Sequence, residues 1–146
     1  MKKLVKDVMN KQPKMITPDE PIHKAAAIMH KHNISHLPVV DNDKQVVVGH
    51  VHTNDVLKAV AEQKPHTTPV KHIMNKPPVV LPENTPIPDA ATMLAKVKVK
   101  GAPTINEKGE LSGFVHVRDI EEKVPNAKPH VDQILNATKH HPKKAA

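Results

Sequence analysis

The residues best placed to do chemistry are two aspartates that end the same short phrase. Gly49-His50-Val51-His52-Thr53-Asn54-Asp55 returns as Gly113-Phe114-Val115-His116-Val117-Arg118-Asp119, each a glycine, a brief apolar strand, a polar corner and a carboxylate entering a helix. A strand that runs into a helix N-terminus presents backbone N–H groups without intrahelical partners and the positive end of the helix dipole, which suits a phosphate. A carboxylate in the first turn can accept from two neighbouring hydroxyls at once. Beside Asp55 stand His52, Thr53 and Asn54; beside Asp119 stand His116 and Arg118, the chain's single arginine, whose fork of donors fits a phosphate.

Two such corners need a repeated scaffold, and the chain carries one. Val5-Lys6-Asp7-Val8-Met9-Asn10-Lys11 is echoed 65 residues later by Val70-Lys71-His72-Ile73-Met74-Asn75-Lys76, and Pro21-Ile22, Ala25-Ala26 and Pro38 recur in that register as Pro86-Ile87, Ala90-Ala91 and Pro103. The two aspartates are 64 apart, so one residue is missing from the turn between Pro38 and Gly49, where length changes are cheap. Each repeat opens with a short amphipathic piece and an extended segment, Lys14 to Thr17 in the first. A helix follows, with Ile22, Ala25, Ala26 and Met29, or Ile87, Ala90, Ala91 and Leu94, on one apolar face. Thr85 is expected to cap the second of these helices, with Pro86 in its first turn. Leu37-Pro38-Val39-Val40 and Val46 to Val51 then form a hairpin, and Asn106-Glu107-Lys108-Gly109 is the matching turn of the second repeat. The order is β-α-β-β-α, twice, in an α/β (α+β) fold. The first repeat covers 1–64, a linker 65–69, the second repeat 70–136 with a third echo at Val131 to Asn136, and a basic disordered tail 137–146.

Composition narrows the function. With one Phe, no Trp and no Tyr, the core must be built from Val, Ile, Leu, Met and Ala, for which 38% hydrophobic residues suffice. The absence of cysteine removes disulfides, thiolate metal sites and a cysteine nucleophile. Lys6 and Asp7 interrupt any apolar run after Met1-Lys2-Lys3, and no stretch reaches the ~18 apolar residues of a membrane span, so a soluble cytoplasmic protein is expected. The net charge of +7 favours anionic partners, yet 21 of the 22 basic residues are scattered lysines. One arginine and no stacking aromatics equip the chain poorly for nucleic acid. Among the histidines, His50 and His52 are i, i+2 on one strand face and His32 and His36 are i, i+4; neither spacing is a metal set, so solvent exposure or a local polar contact is expected. Asp41 and Asp43 fall in a turn and Asp19-Glu20 open a helix, and there is neither a G-x-S-x-G nor a glycine-rich phosphate loop, so no enzymatic activity is expected.

Val8-Met9, Ile16-Thr17-Pro18, Ile34-Ser35-His36-Leu37-Pro38-Val39-Val40-Asp41 and Gly49 to Asp55, with their second copies, resemble a tandem pair of cystathionine-β-synthase (CBS) domains, a Bateman module, over about residues 4–123. The resemblance implies repeats packed sheet to sheet with pseudo-twofold symmetry in a stand-alone homodimer. It also implies clefts that take AMP, ADP, ATP or S-adenosylmethionine to regulate an unidentified protein, with no required cofactor. It makes Asp55 and Asp119 the ribose ligands. It seats the base against Met15, Ile16, Thr17, Leu37 and Pro38 in one site, and against Val80, Leu81, Pro82, Ala102 and Pro103 in the other. His52 and His116 depart from the family pattern, which has Ser or Thr three residues before the aspartate. A histidine there donates to phosphate, adding charge when protonated, or fills the pocket; Thr53 and Arg118 are the neighbouring phosphate candidates. The alternative is a structural or protein-interaction homodimer whose clefts bind no nucleotide.

Overall fold

The computed structural model describes residues 3–43 and 45–139. The chain divides into two compact units, one formed by Lys14–Pro77 with Gly109–Leu111, the other by the residues up to Pro13, Pro78–Lys108 and the residues from Ser112 onward.

In the unit of the first repeat, α2 (Ile22–His32) leads into β1 (His36–Val40), which pairs antiparallel with β2 (Val47–His52), and β2 runs directly into α3 (Thr53–Ala61). The hairpin register sets His36 opposite His52 and Pro38 opposite His50, with a shift between Val39 and Val40. The extended piece before Pro18 is reduced to a single parallel bridge, in which the Ile16 N–H donates to Pro38 O at 3.1 Å and Val40 N–H to Ile16 O at 2.9 Å. Flanking Pro13 and Pro18 lack the N–H donors that a longer ladder would use. Ile16, Ala25, Met29, Leu37, Val39, Val51 and Val70 form the core. α2 ends on Asn33 in the left-handed conformation at φ 52°, a position that asparagine tolerates. Leu57 and Val60 on α3 remain 64% and 66% exposed.

In the other unit, β3 (Leu81–Pro82) pairs parallel with β4 (Gly101–Ile105), and β5 (Leu111–His116) lies on the far side of β4. α4 (Ile87–Lys96) follows β3, and α5 (Val117–Lys123) follows β5. The third echo becomes α6 (Lys128–Thr138), which packs on α4 and α5 through Val131, Ile134 and Thr138. α6 therefore continues through Ala137 and Thr138, two residues into the segment that composition reads as tail; the remainder of that segment, from His140, lies outside the described residues. Thr85 does not cap α4. The cap position is Pro86, and the Thr85 hydroxyl donates instead to Pro82 O at 2.7 Å. That bond closes a turn three residues long, which holds the threonine away from the helix N–H groups.

Each repeat's opening segment packs in the unit of the other repeat. α1 (Val5–Val8) buries Val5 and Val8 in the core with Leu81, Ile87, Leu94 and Ile134. Val70–His72, a single 3₁₀ turn, places Val70 in the core of the first-repeat unit. Each buried valine contributes on the order of 1.5–3 kcal/mol. The two segments are held alike. Asn75 exchanges backbone hydrogen bonds with His50 at 2.7 and 2.9 Å, and Asn10 exchanges them with Phe114, which aligns with His50, at 2.9 and 3.0 Å. Glycine lies beside both crossings and is needed at the second: a Cβ on Gly113 would sit 2.7 Å from Asn10 O, whereas one on Gly49 would meet the Met74 side chain.

Candidate functional site

The two corners are built identically and by an unexpected residue. His52 closes β2 in extended conformation (φ −101°, ψ 156°) and caps α3: its Nδ1 accepts from the Asn54 N–H at 3.0 Å, while its own N–H donates to Asp55 Oδ2 at 2.8 Å. His116 does the same for α5, accepting from the Arg118 N–H at 3.2 Å and donating its N–H to Asp119 Oδ2 at 2.9 Å. These are reciprocal capping boxes, with imidazole in place of the usual hydroxyl or carboxylate. The remaining first-turn donor is also used, since Thr53 N–H reaches Ser35 O at 3.0 Å and Val117 N–H reaches Lys100 O at 2.7 Å. An Nδ1 that accepts carries no proton, so the ring proton of each capping histidine sits on Nε2, which is the atom left to donate to a ligand. Protonating Nδ1 sets two donors against each other and breaks the cap. Burial, reinforced by Arg118 and Lys100 and opposed by Asp119, holds the His116 ring below the ordinary imidazole value.

The carboxylates differ in what else they hold. Asp55 Oδ1 accepts from the Asn75 side-chain amide at 2.9 Å, so both of its oxygens are engaged. Asp119 Oδ1 has instead the Lys123 ammonium at 3.7 Å, on a carboxylate only 22% exposed. Asn10 aligns with Asn75, but its side chain accepts from the Gln12 N–H rather than reaching the second corner. Arg118 is exposed beside Asp119.

The expected base-binding walls separate into two kinds. Ile16 and Leu37 are 1% and 0% exposed and belong to the core, as do Leu81 and Ala102, while Pro38 and Pro103 are buried within their strands. Met15 at 40% exposure and Thr17 flank Ile16, and Val80 and Pro82 flank Leu81; these are the wall residues with accessible side chains. Within each unit the wall strand, the proline of the hairpin and the capped corner belong to one compact body. Thr17 is further occupied as the turn before α2, its N–H donating to Glu20 Oε2 at 2.9 Å.

A cluster beyond the expected set surrounds the first corner. His36 Nδ1 and His50 Nε2 are 3.0 Å apart with their rings stacked at 5.1 Å, and the His36 and His52 rings meet edge to face at 4.7 Å. His50 is buried, which lowers its affinity for protons; His52 adds to that effect and Asp55 opposes it. Among the described residues no group of three or more His, Asp or Glu side chains has the geometry of a metal site. The spacing of His50 and His52 is visible in the sequence, whereas His36 joins them only through the hairpin register.

The CBS-domain family model matches residues 5–62 and 70–126. The chain is 32% identical over 117 residues to the L-aspartate semialdehyde sulfurtransferase of Methanocaldococcus jannaschii, covering 80% of this chain and 22% of that protein. It is 31% identical over 118 residues to the inosine-5'-monophosphate dehydrogenase of Halalkalibacterium halodurans, covering 79% of this chain and 23% of the enzyme. The chain thus spans less than a quarter of the length of these curated relatives. Among solved structures it is similar to the CBS domain pair of protein MJ0100 in complex with 5'-methylthioadenosine and S-adenosyl-L-methionine, at 30% identity and a TM-score of 0.72, covering 84% of this chain and 95% of that one. It shares the fold of the CBS domain protein TA0289 from Thermoplasma acidophilum at a TM-score of 0.77 and 21% identity, covering 96% and 78% of the two chains. With two matched domains spanning most of its length, on a fold shared with solved CBS-domain pairs, the chain belongs to the CBS-domain family.

Proposed function

We propose that the chain is a regulatory module that binds an adenosine-containing nucleotide, AMP, ADP, ATP or S-adenosylmethionine, and acts as a homodimer on a protein partner rather than as an enzyme. The observation that carries this is the duplicated corner, in which a strand N–H orients a carboxylate at a helix N-terminus by one oxygen and leaves lone pairs for two ribose hydroxyls. The relative crystallised with 5'-methylthioadenosine and S-adenosylmethionine, at 30% identity, supports an adenosyl ligand. Asp119 is the stronger ribose ligand, because its Oδ1 is not tied by an amide and Arg118 stands beside it for a phosphate. Thermal denaturation with each nucleotide and with 5'-methylthioadenosine tests the reading. A ligand at ~100 times its Kd stabilises by about 2.7 kcal/mol, and Asp119→Ala should abolish more of that shift than Asp55→Ala. No shift with any of them refutes nucleotide sensing. It would then favour the second reading, a purely structural or protein-interaction homodimer, which the engagement of both Asp55 oxygens and both capping imidazoles within the protein supports.

A further inference from the structure

We propose that His36, His50 and His52 are a coupled proton-operated latch on the α3 corner: a proton on His52 Nδ1 opens the cap that orients Asp55, charge on the two neighbouring rings resists that proton, and the second corner has a capping histidine without the coupling. The geometry sets where protons can go. The 3.0 Å contact between His36 Nδ1 and His50 Nε2 needs one donor and one acceptor, so that pair tolerates a single proton and is broken by a second. His52 Nδ1 accepts from Asn54 N–H, so a proton there undoes the cap directly. Ring centroids 4.7–5.1 Å apart couple the three sites, because a charge on one ring disfavours a charge on the next. The helix N-terminus beneath His52 opposes positive charge as well.

Among the described residues, groups on the hairpin, on α3 and on the segment after Val70–His72 face the cluster. His52 on the same strand, His36 on β1 and Asp55 on α3 are the titratable ones around His50, and the segment after Val70–His72 contributes the neutral Asn75, which bonds His50 through its backbone and Asp55 through its amide. Lys58 and His72 line the cleft beside Asp55. Cap, cluster and carboxylate are therefore joined: the His52 N–H holds Asp55, Asn75 ties Asp55 to the His50 backbone, and His36 touches both rings. The second repeat supplies the internal control. At the positions aligned with His36, His50 and His52 it carries Gly101, Phe114 and His116. A Cβ on Gly101 would lie 2.9 Å from the Phe114 ring and 3.3 Å from His116, so the phenyl ring fills the space and a single imidazole titrates.

The regulatory meaning rests on the nucleotide reading above, but the latch itself is read without ligand. The experiment follows the histidine rings and the Asn54 and Arg118 amides of the full chain by NMR from pH 8 to 5. The Asn54 amide is expected to move over a broadened transition with a slope clearly below one proton, and Arg118 with a slope of one. His36→Asn should raise the Asn54 slope toward one, and His50→Phe, which copies the second repeat, should do the same. Independent one-proton titration of the three rings, or an Asn54 amide that does not respond, overturns the latch. Nucleotide titrations at pH 7.5 and 5.5 separate the two claims. Absence of binding at both refutes the sensing function while the amide slopes still decide the latch. Binding at the first corner that weakens about tenfold or more on acidification supports control of the site, and unchanged affinity overturns it.

Discussion

Replacing Gly113 by alanine tests the exchange of opening segments between the repeats, because the added methyl group would meet the segment that arrives from the other end of the chain. At ideal geometry it lies 2.7 Å from Asn10 O and from Met9 Sδ, and 2.9 Å from Met9 Cγ. The thioether tail can turn, but the carbonyl cannot retreat freely: Asn10 O accepts from the Phe114 N–H at 3.0 Å, and Asn10 N–H donates to Phe114 O at 2.9 Å. Overpacking costs about 1–3 kcal/mol, and weakening two backbone hydrogen bonds adds up to about 1 kcal/mol each. The lower entropy of the unfolded alanine chain returns about 0.4–1 kcal/mol. The expected net loss is roughly 2–3 kcal/mol. Gly49→Ala is the paired control. There the nearest atoms all belong to the Met74 side chain, Sδ first, then Cγ at 2.9 Å and Cβ at 3.2 Å, and a change of rotamer costs about 0.5–1.5 kcal/mol, nearly offset by the same entropy. Urea unfolding followed by far-ultraviolet circular dichroism suits a chain with no Trp or Tyr. Gly113→Ala should lower the unfolding free energy by about 1.5–2 kcal/mol more than Gly49→Ala. Equal losses at the two glycines, or a neutral Gly113→Ala, would refute the placement of Asn10 against Phe114.

Two further outcomes follow from local geometry. His50 and His116 both hold their protons more weakly than an unfolded imidazole with its value of 6.5, so below that value the unfolded chain binds protons first and stability falls as pH falls. The loss begins near pH 6.5 and ends at the lower folded values, with a slope of at most about 1.4 kcal/mol per pH unit for each histidine, and less at half-exposed His116, where solvent screens the charge. Urea midpoints at pH 7.5, 6.5 and 5.5 measure it, and a flat profile across that range contradicts the assignment. Lys98 closes α4 in the left-handed conformation at φ 60°, with its N–H on Ala95 O and the Val99 N–H on Leu94 O, a position that glycine occupies without a Cβ penalty. Lys98→Gly should therefore raise stability by about 0.5–1 kcal/mol in the same assay, and a loss would show that the lysine side chain contributes more than its strain costs.

Much of the fold was legible because it is periodic. The apolar face at Ile22, Ala25 and Met29 and its copy at Ile87, Ala90, Ala91 and Leu94 are buried as a 3.6-residue repeat requires. The corner was legible because it occurs twice. What could not be read was pairing at long range. Val5 to Asn10 and Val70 to Asn75 announce that they are equivalent, but nothing in either segment says which repeat it joins, since both sequences suit both sites. The capping role of His52 and His116 was hidden for a different reason: imidazole is not among the residues that favour a helix N-cap, so the position reads as a binding-site anomaly until the Nδ1 contacts are seen. His36 needed the hairpin register, and the shift between Val39 and Val40 is a detail that no period of two contains.

The crossing of segments also fixes an order of events during synthesis. The unit of the first repeat draws nearly all of its residues from 14–77 and can gather its core early, while α1 waits with Val5 and Val8 uncovered. Their partners, Leu81, Ile87 and Leu94, emerge later, and Ile134 later still. Val5 and Val8 are thus made well before the residues that bury them. Until then the nascent chain carries an exposed apolar segment at Val5–Val8, which a chaperone or a second nascent copy could engage before α4 and α6 arrive.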